Sequence, residues 1–291
     1  RFGQYHCLHQ LILEDLGLPE VPVIAPAHDK RLYEDWEAFP GRVVSMAWNG
    51  LASFDVLAKV RLAIRPYECA AGTTDRVYHK WCRGLRRLIA LRPSQRQIVA
   101  LMARAAHDFA AIAVDRSRPR PRIAVLGEIY VRHHSLANQH LLRHLERLGA
   151  EAQLASYPEW HYYTNWVRMN DARRTGRLKD WWTSYFKDRI QRRRHASFAA
   201  PFQSLLGPLE EPSTESLLQP AAAYIHPELK GGDAVLSIGK TLEAFRAGQH
   251  GVINVLPFSC MPSSIVEAVM KRMSAAVAPM PLLSISYDGQ Q

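Results

Sequence analysis

Between Gly251 and Met273 the chain reads GVINVLPFSCMPSSIVEAVMKRM, and this order of residues leaves room for a buried strand, a loop and an amphipathic helix. Val252, Ile253, Val255 and Leu256 form an apolar run that stops at Pro257. Ile265, Val266, Val269, Met270 and Met273 then recur at helical spacing. Cys260 lies in the loop between them. Ser263 or Ser264 is a candidate cap and Pro262 suits a first helical turn, so the thiol is expected to meet free backbone N–H groups and the positive end of the helix dipole. Such a setting favours the thiolate, the form that binds metal or attacks an electrophile. A buried structural cysteine is the other reading of the same residues, because free cysteine is among the most buried residue types.

A second strand–loop–helix–strand pattern precedes it. Ile123 to Leu126 is apolar, the polar stretch Gly127 to His134 reads as a loop, and Ser135 or Asn138 opens a helix with Leu141, Leu142, Leu145 and Leu148 on its inner face. Gly149 ends that helix and Glu151 to Ser156 reads as the next strand, which completes a βαβ unit. Together with a final strand at Pro281 to Tyr287, this predicts an α/β fold built on an open parallel sheet, with ligands beyond the carboxyl ends of the strands. Glu128, Arg132, His133 and Asn138 fall at that edge. An acid, a guanidinium and an amide converging there could hold a carbonyl or a phosphate, whereas singly each reads as a loop residue or cap. No G-x-G-x-x-G or Walker loop is present.

The remaining segments are mostly helical. Residues 4 to 16, Ser53 to Ile64, Arg76 to Leu91, Ser94 to Val114, Trp160 to Leu206, Ser216 to Tyr224 and Ala234 to Ala247 have helical spacing, and Val21 to Ala25 reads as a short strand. The Pro- and Arg-rich stretch Arg116 to Arg122 has the composition of a boundary. We therefore expect residues 1–115 to hold the end of a first α/β unit with a helical linker, and residues 121–291 a second unit with a helical insertion. Tyr162, Tyr163, Trp166, Trp181, Trp182, Tyr185 and Phe186 form an aromatic patch best explained by helix packing or a subunit interface.

Bulk properties narrow the function. No apolar run approaches the roughly 20 residues that cross a bilayer, and the N-terminus lacks signal-peptide order, so no membrane partner and a cytoplasmic location are expected. Cys7, Cys69, Cys82 and Cys260 are scattered without a C-x-x-C pair, which argues against a zinc ribbon or a disulfide framework. The net charge of +10 permits nucleic-acid binding, but no zinc finger, helix-turn-helix or aromatic-studded strand accompanies it. The same charge suits an anionic cofactor. The chain starts at Arg1 and ends in Gly-Gln-Gln directly after a strand signal, as a fragment of a longer protein would.

Several strings coincide with one family. RFGQY at Arg1 to Tyr5, RPYE at Arg65 to Glu68, TDRVY at Thr74 to Tyr78, GEIYVRH at Gly127 to His133, NVLPFSCMP at Asn254 to Pro262 and SYDGQ at Ser286 to Gln290 span nearly the whole chain. In these it resembles the 2-hydroxyacyl-CoA dehydratase superfamily, in particular the dehydratase-like region of the large activase-related proteins. The resemblance implies tandem Rossmann-like units and an iron-sulfur cluster, of the 4Fe-4S or a related type, with Cys260 as a ligand. Cys7 is a weaker candidate ligand, because the family's further cysteines lie before the RFGQY string. It also implies an ATPase activator module or subunit as partner, a dimer, and an acyl-CoA substrate to which the cluster passes an electron, with Glu128, Arg132 and Asn138 near the thioester oxygen. A related reductase for small non-CoA substrates and a non-catalytic scaffold are the alternatives.

Overall fold

In the computed structural model, residues 5–23, 41–206, 212–229 and 233–288 are described. The chain divides by packing into two compact units, residues 1–48 and 49–291, and the Arg116 to Arg122 stretch lies inside the second. In the first unit, Tyr5–Asp15 is a helix, as the spacing predicts. The expected strand at Val21 to Ala25 does not form over residues 21–23, and Ile24 and Ala25, like residues 31–40, lie outside the described residues. The helix predicted from Ser53 begins earlier, at Gly41, and runs to Ile64. Val44, Ala47 and Trp48 continue its apolar spacing upstream, and Gly50 is tolerated within it.

Pro66 ends that helix in a single tight turn, Arg65–Tyr67. Helix Thr73–Ala90 starts after Gly72, whose φ of 80° suits a residue without Cβ. Helix Gln95–Ala110 opens on a reciprocal cap: the Ser94 hydroxyl accepts the Gln97 N–H, and the Gln97 side chain accepts the Ser94 N–H. Ser94→Ala is expected to lower the unfolding free energy by about 1 kcal/mol, measured by urea denaturation. An unchanged midpoint would mean that packing alone holds this helix.

Four strands form an all-parallel sheet among the described residues: β1 (Arg122–Gly127), β2 (Glu151–Leu154), β3 (Gly251–Pro257) and β4 (Leu282–Tyr287), in the order β2-β1-β3-β4. β1 pairs Val125 with Leu154 on one side and with Ile253 on the other, and β3 pairs Leu256 with Ser286. β3 is buried almost throughout, as a central parallel strand covered on both faces must be.

Alternation along the strands divides the core. Ala124, Leu126 and Val252 face helices Asp233–Arg246 and Met261–Met273 through Ala244, Val266 and Met270. Val125, Ile253 and Val255 face the opposite way, onto Val131, Leu141 and Leu145. Burial of each larger aliphatic side chain contributes on the order of 1.5–3 kcal/mol, so helices on both faces are needed to cover the sheet.

Between β2 and β3 the chain makes a helical excursion. Helices Tyr157–Arg174 and Leu178–Ala199 pack on each other, and helix Thr214–Ala221 packs on Asp233–Arg246. The aromatic patch splits there. Tyr162 and Tyr163 are buried, with the Tyr162 hydroxyl 2.9 Å from His195 Nδ1, whereas Trp182 and Phe186 are exposed.

Candidate functional site

β1 continues to β2 on one side, and the chain then returns to place β3 on the other side of β1. The sheet order therefore reverses between β1 and β3, the kind of switch point beyond whose carboxyl strand ends open α/β sheets bind their ligands. Two loops flank it: Glu128 after β1, and Phe258 to Cys260 after β3. Glu128 N–H donates to the Val255 carbonyl at 2.9 Å and Phe258 N–H donates to the Tyr287 carbonyl at 2.8 Å, so the sheet itself positions both loops.

Gly127 is the last residue of β1, at φ 110°. A Cβ on it would stand 2.1 Å from the Val255 carbonyl oxygen and 2.8 Å from Asn254 Oδ1. Only glycine allows β3 to approach so closely. Asn254 is fully buried in mid-strand. Its Nδ2 lies 3.4 Å from Ser284 Oγ, while its Oδ1 has no hydrogen-bond partner.

The loop expected at Gly127 to His134 contains a short helix, Ile129–His133, because the Glu128 carboxylate accepts the Val131 N–H at 2.8 Å and caps it. Arg132 is buried, donating to the Gly127 carbonyl at 3.1 Å and the Ser156 carbonyl at 3.0 Å, with the Glu159 carboxylate 3.9 Å away. Asn138, also buried, donates to the Val131 carbonyl at 2.8 Å and the Arg132 carbonyl at 3.2 Å, and accepts the Leu141 N–H. The structure thus brings Glu128, Arg132 and Asn138 into one neighbourhood and engages all three with the backbone of the β1–β2 connection. The helix expected from Ser135 or Asn138 begins at Leu141 instead, since Asn138 uses its side chain to close the preceding turn.

Cys260 occupies the cap position of helix Met261–Met273, with Pro262 in the first turn as expected. Ser263 and Ser264 lie inside the helix and do not cap it. The Ser263 hydroxyl donates to Cys260 Sγ at 3.3 Å, and the Ser264 hydroxyl and N–H both donate to the Cys260 carbonyl. Cys260 is buried, whereas Phe258 and Met261 near it in sequence are exposed. Ser259, at φ 61°, turns the loop so that the cysteine points inward.

For a metal or cluster, Cys260 fits as one thiolate donor: a polarisable sulfur at a helix start, beside a hydroxyl donor. Cys7 and Cys69 are exposed and Cys82 is half-buried. Among the described residues no group of three or more His, Cys, Asp or Glu side chains stands together as a ligand set. Cys7 carries its thiol on helix Tyr5–Asp15, 3.3 Å from the His6 ring.

The sequence reasoning passed over a buried charge network beside the βαβ unit. Arg61 Nε lies 2.6 Å from Asp75, Arg65 lies 3.0 Å from Asp75 and 2.7 Å from Glu146, and Arg143 donates to the other Asp75 oxygen. Burial opposes the ionisation of Asp75, but these guanidiniums outweigh it and hold the carboxyl down at about 2. RPYE and TDRVY, quoted above only as matching strings, contain Arg65 and Asp75. Glu68 of the same string accepts the N–H groups of Gly72 and Thr74, fixing the turn between them. The signal that could have marked the network is an arginine next to a helix-breaking proline, followed by an acid in the first turn of the next helix.

Compared with protein-family models, curated proteins and solved structures, the chain finds no match.

Proposed function

We propose that this chain is a 2-hydroxyacyl-CoA-dehydratase-like component of an ATP-coupled electron-transfer system, in which Cys260 supplies one thiolate to an iron-sulfur cluster. The observation that carries the reading is the seat of Cys260: a cap-position thiol beyond the carboxyl end of a central parallel strand, at the point where the strand order reverses. Cys260 stands at the N-terminus of helix Met261–Met273, where its sulfur accepts the Ser263 hydroxyl and makes no cap bond to a backbone N–H. Phe258 and Met261, close to Cys260 in sequence, present exposed apolar side chains. Gly127 lets β1 and β3 close up beneath the loops, and the Glu128 cap fixes the loop after β1.

When bound, a cluster of this kind supplies one-electron chemistry to an acyl-CoA-type substrate. The other ligands come from beyond the described residues or from a further polypeptide, and the electron from an ATPase partner. The tandem Rossmann-like arrangement and a dimer belong to the same proposal.

Anaerobic reconstitution with iron and sulfide tests it. The full chain is expected to gain a thiolate-to-iron charge-transfer band and bound iron, and Cys260→Ala is expected to lose both while keeping its far-UV dichroism. Equal iron content and an unchanged band in Cys260→Ala would remove Cys260 as a ligand and sink the reading.

A further inference from the structure

A cavity of about 710 Å³ opens beside the carboxyl end of β2, within the range of about 300–1,000 Å³ typical of small-molecule sites. We propose that it binds a small organic anion, a phosphate or carboxylate head on an apolar or aromatic body. Its wall is divided in the same way. Lys59, Arg61, Arg65, Arg132 and Arg143 line it, whereas Phe54, Leu62, Leu142 and Leu154 supply apolar surface.

The cations outnumber the acids that hold them. Asp55, Asp75 and Glu146 are the neighbouring carboxylates, and Glu159 beside Arg132 is also paired with Lys240 at 3.1 Å. Of the residues that line the cavity five are Lys or Arg and one, Asp55, is a carboxylate, so the surface a ligand meets is cationic, and a Coulomb attraction there is stronger than in bulk water. The ion pairs also preorganise the site: Arg65 is locked between Asp75 and Glu146, and Asp55 is fixed by Ser156 Oγ and the Tyr157 N–H.

Lys59, paired with Asp55 at 3.3 Å, and Arg143, whose side chain is 41% open, both bring their charge to the cavity lining. Arg132 lines the cavity with a buried Nε that has no hydrogen-bond partner. Tyr78 also lines the cavity, with the Arg61 guanidinium 4.6 Å from its ring centre. A guanidinium pairs best with a planar carboxylate or with phosphate oxygens, and the apolar part of the lining would take the body of the same molecule.

Calorimetric titration of the full chain with phenyl phosphate, benzoate and inorganic phosphate tests the proposal and separates the two head groups. At least one of the two aromatic anions is expected to bind, and to bind roughly tenfold more tightly than inorganic phosphate because the apolar wall holds its ring. Lys59→Gln with Arg143→Gln is expected to weaken binding at least tenfold, and Lys271→Gln, on helix Met261–Met273, to leave it unchanged. Arg132→Met serves as a second variant should the double variant fail to fold. Absence of heat and of amide shifts with all three anions at millimolar concentration would overturn the proposal, as would equal binding by the folded variants. The site does not depend on the role of Cys260, so iron-free chain and Cys260→Ala are expected to bind the probe alike.

Discussion

Gly127→Ala is expected to abolish the folded state of the parallel sheet. The new methyl carbon would lie 2.1 Å from the Val255 carbonyl oxygen and 2.7 Å from the Val255 nitrogen, distances no rotamer change can relieve because both partners are backbone. The φ of 110° adds strain for any residue with a Cβ. Relief requires β1 and β3 to separate, which breaks the pairing of Gly127 with Val255 and the Glu128 N–H bond to the same residue. A loss of about 4 kcal/mol or more is expected, at the top of the range for single substitutions. Soluble expression and urea unfolding check it; a folded variant within about 1 kcal/mol of the parent would show that the strands can part without cost. Because the same glycine sits under the loops that follow β1 and β3, iron binding at Cys260 is expected to fall with stability.

Asp75→Asn is expected to cost about 3 kcal/mol, which lowers Tm by roughly 6–12 °C, because a half-buried carboxylate that holds Arg61, Arg65 and Arg143 becomes a neutral amide. The pH dependence carries a matching signature. The Asp75 carboxyl lies at about 2 in the fold against an ordinary value of 3.8, so its stabilisation is complete above pH 3.8 and is lost as pH falls toward 2. A higher phase is expected from two imidazoles, His133, pushed down to about 4 by burial and then Arg132, and His161. Burial first, then Lys187 and Arg168, push the His161 imidazole down to about 4 from 6.5, so the unfolded chain takes up these protons first and stability declines from pH 6.5 to 4. Urea midpoints measured across this range are expected to show both phases in the parent chain, and a smaller lower phase in Asp75→Asn, where Glu68 and Asp108 still carry lowered carboxyls. An undiminished lower phase in that variant would assign it to those other carboxylates.

Much of the α/β architecture was legible from residue order. The run Val252 to Leu256 and the heptad-like spacing of Ile265 to Met273 define β3 and its following helix to within a few residues, and Ile123 to Leu126 marks β1. The errors fall where side chains bond to local backbone. Glu128 turns a predicted loop into a short helix by capping Val131, and Asn138 delays the next helix to Leu141. Periodicity cannot register such bonds, because one polar residue supplies them and leaves the apolar spacing unchanged. Ser263 and Ser264 were reasonable cap candidates by residue type, yet Pro262 already stands in the first turn, which sets the cap at Cys260.

The candidate site was half legible. The cysteine loop and the polar stretch after β1 could be found in the sequence, because both follow apolar strands and carry chemistry-bearing residues. That Arg132 and Asn138 spend their hydrogen bonds on neighbouring carbonyls could not, since burial depends on what folds over them. The charge network is of the same kind: Arg65 and Glu146 are 81 residues apart and meet only through the fold.

Local sequence determined which segments form strands and helices, through apolar period, proline and glycine placement, and it marked Cys260 as the residue to watch. Tertiary structure decided the strand order β2-β1-β3-β4, and with it the reversal of order between β1 and β3. It also decided that Gly127 must lack a side chain and that five cations crowd one cavity wall. The physical reason is range: propensity and capping act over a few residues, whereas close strand approach and the sharing of carboxylates among arginines exist only once distant segments have packed.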